Sequence, residues 1–175
     1  MKSVGEAMAL GRSFTEALQK ALRSLENPAA QFDWSGAKSD VDVATLLAEM
    51  PRPHDVRLRQ VQRAMWAGAT LDEVHAATAI DPWFLAQIEL LNDVADVVAA
   101  EPTLDAEVLR LAKRHGFSDA QIGAIRGLPE AVVRATGTFE IGYEALEGIE
   151  PHPDLPPYLR RIIGGCAFAG ATAAL

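Results

Sequence analysis

A chain of 175 residues, 49% apolar and 23% charged, has the make-up of an ordinary globular protein, with enough length for one core or one core and a tail. Its net charge of -8 speaks against broad nucleic-acid binding, which takes most of its affinity from a basic face. The single cysteine, Cys166, excludes an intramolecular disulfide and fits a reducing cytoplasm. No apolar run reaches the roughly 20 residues of a membrane helix, and no N-terminal stretch has the build of an export signal, so a cytoplasmic protein without a membrane partner is expected.

In chain order the punctuation is helical. Ser13 with Glu16 three residues on reads as a capping box, and Phe14, Ala17, Leu18, Ala21, Leu22 and Leu25 form one apolar stripe behind it. Gly5, Glu6, Met8 and Gly11 lie just upstream, a composition that helix formation does not call for, since glycine costs about 1 kcal/mol against alanine inside a helix. Pro28 and the polar stretch to Asp40 make a connection, with Phe32 and Trp34 as the side chains that anchor it. A short helix is predicted over Val41 to Met50, stopped by Pro51 and Pro53, and a second over Asp55 to Ala67, with Val56, Val61, Ala64 and Met65 apolar.

Thr70 with Glu73 is a further capping box, predicting a helix from Thr70 to Ala77. Asp81 followed by Pro82 gives an N-cap with proline in the first turn. From there Phe84, Leu85, Ile88, Leu91, Val94 and Val98 recur at three and four, which carries a helix to about Ala100. Pro102 and Thr103 break it. Leu104 to His115 follows, with Val108, Leu109 and Leu111 inward and Arg110, Lys113, Arg114 and His115 towards the C-terminal end that favours positive charge. Ser118 with Gln121 caps a short helix, and Pro129 opens another through Arg134. Nothing alternates over a strand's length and no long repeat occurs, so the body is expected to be all-α.

Chemistry-bearing residues do not converge. His54, His75, His115 and His152 fall one per segment, without the i, i+4 pairing of a zinc helix; His115 reads as a helix-end charge and His75 as a partly exposed side chain. Glu6, Glu49, Asp72, Glu73, Asp81, Glu89, Asp93 and Asp96 read as solvated helix faces rather than acid-base pairs. Cys166 has no basic neighbour closer than Arg161, and Gly164 and Gly165 lack the surroundings of a phosphate loop. No catalytic, cofactor-binding or metal-ligating residue is therefore expected. Thr70 to Leu91 has the outline of a helix-turn-helix, which makes a small acidic DNA-binding regulator the alternative reading. Its second helix carries Asp81, Glu89 and Asp93 and no lysine or arginine, so phosphate would repel it. The arginines at 52, 57, 59 and 63 form a basic patch that pairs more simply with acidic neighbours or a partner subunit.

Three blocks carry a resemblance. KSVGEAMALGRSFTEALQKALRSLE, residues 2–26, resembles the end of the first ATP-grasp half of the carbamoyl-phosphate synthase large subunit. AGATLDEVHAATAIDPWFLAQIELL, Ala67 to Leu91, resembles the first helices of the oligomerisation domain that follows there, including Ile-Asp-x-Trp-Phe-Leu at Ile80 to Leu85. LAKRHGFSDAQIGAI, Leu111 to Ile125, resembles a later motif of the same domain.

The resemblance implies a compact helical oligomerisation domain over 28–134, preceded by one ATP-grasp helix over 1–27. It implies a linker and subunit-association module whose partners are itself or other large-subunit copies, with the glutaminase small subunit reached only through other parts of the parent. That parent is a glutamine-dependent ligase serving arginine and pyrimidine synthesis, using ATP and Mg or Mn. Its nucleotide-binding residues lie upstream of this match, so no carbamoyl-phosphate synthesis is expected from this chain alone. Val4, Met8, Leu10, Phe14 and Leu18 are expected to be exposed where an ATP-grasp half would cover them, and the interface is expected on helices between Val56 and Arg114. Residues 135–175 depart from the family and read as an irregular tail with a proline cluster at 151, 153, 156 and 157. A fragmentary gene product or a reading-frame switch is the expectation there, the alternative being a variant C-terminus that covers an exposed helix face.

Overall fold

The computed structural model describes residues 7–25 and 27–137; of the expected tail 135–175, residues 135–137 continue α8 and 138–175 lie outside the described residues, as do 1–6 and 26. Eight α-helices follow one another among the described residues: α1 Phe14–Ser24, α2 Val43–Glu49, α3 Arg57–Trp66, α4 Leu71–Thr78, α5 Pro82–Ala100, α6 Ala106–Arg114, α7 Asp119–Arg126 and α8 Glu130–Gly137. The all-α expectation holds, and each predicted helix is present with ends moved by a few residues.

α5 is the axis of the fold. Leu85, Ile88, Leu91, Val94 and Val98 are buried along it, and α1, α3, α4, α6 and α7 all pack against it. At its middle Asn92 Oδ1 accepts hydrogen bonds from Trp34 Nε1 at 2.8 Å and from Gln62 Nε2 at 2.9 Å, while Asn92 Nδ2 donates to the Gln62 carbonyl at 3.2 Å. All three residues are buried, so each polar atom needs the partner it has. The Trp34 ring lies 4.8 Å from that of Phe117 and 6.2 Å from that of Phe32, so the connection between α1 and α2 is pinned across the core as its two aromatics foretold.

The capping readings hold with one change. Thr70 with Glu73 and Ser118 with Gln121 close full reciprocal boxes, and Asp81 caps α5 through the Trp83 amide at 2.9 Å. Ser13 accepts from the Glu16 amide, but the Glu16 carboxylate reaches one residue further back, to the Arg12 amide at 2.8 Å. The missed caps are Asp42 on α2 and Asp105 on α6.

α1 turns a largely polar face inward. Its buried residues are Thr15, Glu16, Gln19 and Leu22, whereas Phe14, Ala17, Leu18, Ala21 and Leu25 are only partly covered. Polar tethers to the α6–α7 turn set this rotation: Thr15 Oγ1 lies 3.1 Å from His115 Nδ1, Arg23 Nη1 donates to the Gly116 carbonyl at 2.6 Å, and Gln121 Nε2 donates to Gln19 Oε1 at 2.9 Å. The turn itself requires glycine, because Gly116 has φ +85° and a Cβ there would stand 3.0 Å from the Glu16 Cα. Ala79, which ends α4, also has positive φ, at 56°, and pays the side-chain penalty of that conformation.

Of the four arginines at 52, 57, 59 and 63, Arg52 is exposed and the other three are structural. Arg57 donates to the carbonyls of Met50 and Thr78 at 2.6 and 2.8 Å, Arg59 pairs with Asp33 at 2.7 Å, and Arg63 donates to the Ser35 carbonyl at 2.7 Å while lying over the Trp66 ring. Arg126 donates to the Val98 carbonyl in the last turn of α5 and to the Pro102 carbonyl just beyond it, both at 3.1 Å, placing a cation at a helix C-terminus.

Two stability measurements test this account. Asn92→Ala removes the common partner of Trp34 and Gln62 and lowers the urea-unfolding free energy by about 2–4 kcal/mol, since buried donors are left unpaired. At the turns the signs oppose: Ala79→Gly raises stability by about 0.5–1 kcal/mol, and Gly116→Ala lowers it by more than about 1 kcal/mol.

Candidate association surface

The described surface is apolar where it is unusual. The Asp81 cap and Pro82 begin α5 so that Trp83 and Phe84 stand in its first turn, 54% and 43% exposed. Phe14, at the start of α1, completes a cluster, with ring centroids 5.3 Å from Trp83 and 5.4 Å from Phe84, which are themselves 5.0 Å apart. Met8 and Leu10, on the segment entering α1, are 94% and 90% exposed. Leu90 and Val97, also exposed, follow Trp83 in steps of seven residues, so the three share one line along α5. The three clustered rings, together with the exposed line along α5, mark an interaction surface rather than scattered surface apolarity.

The expected exposure of Met8 and Leu10 is thus present, whereas Phe14 has ring partners, Leu18 packs on the core, and Val4 lies outside the described residues. Trp83 falls off the buried face of α5 and was marked only by the Ile80 to Leu85 motif, while Phe84, counted with the apolar repeat of α5, is exposed beside it.

Beside the line on α5 runs a groove of about 470 Å³ between α5 and α6. Val97, Val108 and Leu111 supply its apolar wall, Arg110 and Arg114 its basic rim, and Glu101, Asp105 and Glu107 its acidic rim. A second depression of about 470 Å³ lies between α2 and α3, next to Leu46, Arg59 and Arg63.

The residues weighed for chemistry are dispersed through the fold. His75 Nδ1 lies 2.7 Å from the Ile80 carbonyl, His54 is exposed, and His152, Cys166, Gly164, Gly165 and Glu6 lie outside the described residues. Glu73 and Asp81 serve helix starts, Glu49 accepts from Gln60, and Asp96 pairs with Lys38 at 2.6 Å. Among the described residues no three His, Cys, Asp or Glu side chains are grouped to hold a metal ion. His115 is corrected: it joins α6 to α1 through Thr15, and burial pushes its pKa below the ordinary 6.5, the opposite of a helix-end cation. Glu16 is held down to about 2, first by the Lys20 ammonium at 2.8 Å and then by the Arg12 amide.

Fold and surface together define an all-α docking module whose prominent described feature is an exposed aromatic and aliphatic face. Among the described residues no helix is long and apolar enough to cross a membrane. Residues 6–139 match the carbamoyl-phosphate synthetase large chain oligomerisation domain, and the chain belongs to that family. It is similar to the carbamoyl phosphate synthase large chain of Streptomyces griseus, 60% identical over 134 residues, and to that of Beutenbergia cavernae, 58% identical over 135. The large chain of Streptomyces avermitilis is 59% identical over 134 residues. Each match takes in 77% of this chain but 12% of the relative, so the chain spans about an eighth of their length. These matches lend the DNA-binding alternative no support.

The two displaced pKa values give stability a definite pH dependence. Both groups bind a proton less readily when folded, so stability is greatest at neutral pH; His115 withdraws its part as pH falls below 6.5, and Glu16 as pH falls from 4.5 towards 2. In urea titrations across pH, Glu16→Gln flattens the lower limb and leaves the slope near pH 6 in place.

Proposed function

We propose that this chain is the helical joint and subunit-association module of a carbamoyl-phosphate synthase large chain, with no ligase chemistry of its own. The observation that carries the reading is the Phe14, Trp83 and Phe84 cluster together with exposed Met8 and Leu10, within a region that matches an oligomerisation domain. Residues 1–27 then belong to the end of the first ATP-grasp unit and 28–134 to the association domain. Met8, Leu10 and the ring cluster are the face that the rest of such a unit covers.

In this reading the tethers from α1 to His115, Gly116 and Gln121 couple the two parts mechanically. Movement of one is passed to the other through hydrogen bonds and packing rather than through a loose linker. The partners are other copies of the large chain; the glutaminase subunit, ATP, and Mg or Mn engage portions of the parent beyond this chain. Carbamoyl phosphate made by that parent would feed arginine and pyrimidine synthesis in the cytoplasm.

Size-exclusion chromatography with light scattering on the full chain tests the association half, and a turnover assay with ATP, bicarbonate and glutamine tests the other. A dimer or tetramer without carbamoyl phosphate formation is expected. A monomer at every concentration overturns association, and turnover by the purified chain overturns the non-catalytic assignment.

A further inference from the structure

The segment that enters α1 presents a sulfur atom to solvent. Exposure alternates along it: Ala7 and Ala9 are half-buried, whereas Met8 and Leu10, 94% and 90% exposed, look outward together. The segment is also tied to α1. Lys20 Nζ donates to the Leu10 carbonyl at 3.2 Å, the Arg12 amide donates to Glu16 Oε2 at 2.8 Å, and Lys20 meets the other oxygen of that carboxylate at 2.8 Å. Gly11 lies so close to the helix that a Cβ there would stand 2.6 Å from the Ala17 nitrogen. Met8 is thus held on the outside of the fold, three residues ahead of the glycine that seats the segment.

The other described methionines are enclosed. Met50 is 0% and Met65 8% exposed, and both belong to the core. An oxidant dissolved in water reaches the Met8 thioether directly, while at Met50 and Met65 it must wait for the body to open. The chemical change is large for so small a group. A thioether is flexible, polarizable and apolar, whereas a sulfoxide carries an oxygen that accepts hydrogen bonds and is costly to bury against apolar side chains.

We infer that Met8 is an oxidant-responsive modification site, and that its sulfoxide weakens association through the face Met8 shares with Leu10. The oxidant is a hydroperoxide. Its O–O bond breaks as an S–O bond forms at Met8, the sulfur is oxidised by two electrons, and the remaining oxygen takes the proton and leaves as water or as an alcohol. Because Met50 and Met65 are shielded, the helical body keeps its packing and the effect stays on the surface. This inference rests on the association role proposed above and adds to it a chemical signal that opposes it.

Hydrogen peroxide applied to the full chain, followed by tryptic mapping and by size-exclusion chromatography with light scattering over a concentration series, tests it. Trypsin releases residues 3–12 as a peptide whose only methionine is Met8, so the gain of one oxygen there reports on that sulfur alone. Met8 is expected to oxidise about tenfold or more faster than Met50 and Met65. The association constant of the oxidised chain is expected to fall by about tenfold, and treatment with a methionine sulfoxide reductase to restore it. In Met8→Leu the ratio of association constants before and after peroxide stays near one, which separates the response of Met8 from that of Cys166. Equal oxidation rates at Met8, Met50 and Met65 overturn the inference. So does an oxidised Met8 with unchanged association, or an equal loss in Met8→Leu, and both of these leave the association role standing. A chain that is monomeric at every concentration before peroxide overturns the two together.

Discussion

The indole of Trp34, the side-chain amide of Asn92 and that of Gln62 meet inside the helical body, and the places of three chain segments follow from having to reach that point. An unpaired donor there would cost about 1–3 kcal/mol, so the network forms fully or the core opens. It brings the connection after α1 across the molecule, holds α3 against α5, and seats Phe117 on the Trp34 ring. Apolar packing along Leu85, Ile88, Leu91, Val94 and Val98 supplies most of the driving force, but non-directional burial would leave α5 free to slide or rotate. The directional bonds at Asn92 remove that freedom. Trp83, Leu90 and Val97 therefore face outward.

Charge is used in the same economical way. Arg57, Arg63 and Arg126 are bound to backbone carbonyls at helix ends and turns, where they satisfy acceptors that the helices leave over. Arg59 meets Asp33. A basic patch on paper thus becomes a set of clamps between α3 and its neighbours, and the surface left for recognition is aromatic and aliphatic. A protein surface satisfies such a face better than a phosphate backbone does, which is the physical content of the family assignment. The fold carries this face on a rigid support because the first turn of α5 is fixed by Asp81 and Pro82 and backed by α1.

The helix starts were legible because their signals are local. Thr70, Asp81 and Ser118 each satisfy an amide two or three residues away, so the same few residues that announce the cap also make it. The buried face of α5 was legible for a similar reason, since period and apolarity coincide over nineteen residues. α1 was not. Its apolar stripe leaves the rotation open, since Phe14 and Leu18 are also expected on an outward face, and the observed rotation turns Thr15, Glu16 and Gln19 inward, where Thr15 and Gln19 bond to His115 and Gln121 about a hundred residues away. The close approach at Gly116 depends on the same distant neighbour. Of the candidate surface, the exposure of Met8 and Leu10 was foreseen, and that of Trp83 was not, because exposure of an aromatic residue is set by what fails to cover it.

By itself the sequence determined an all-α body, the order and approximate ends of its helices, and the family, since these rest on local capping, periodicity and contiguous motifs. Only the tertiary structure decided which face of α1 is buried, that His115 is a neutral-favouring tether, that the arginines clamp carbonyls, and that three rings from two helices form one exposed cluster. Each of those depends on groups far apart in the chain, whose meeting is a property of the packed core and is written in no single stretch of residues.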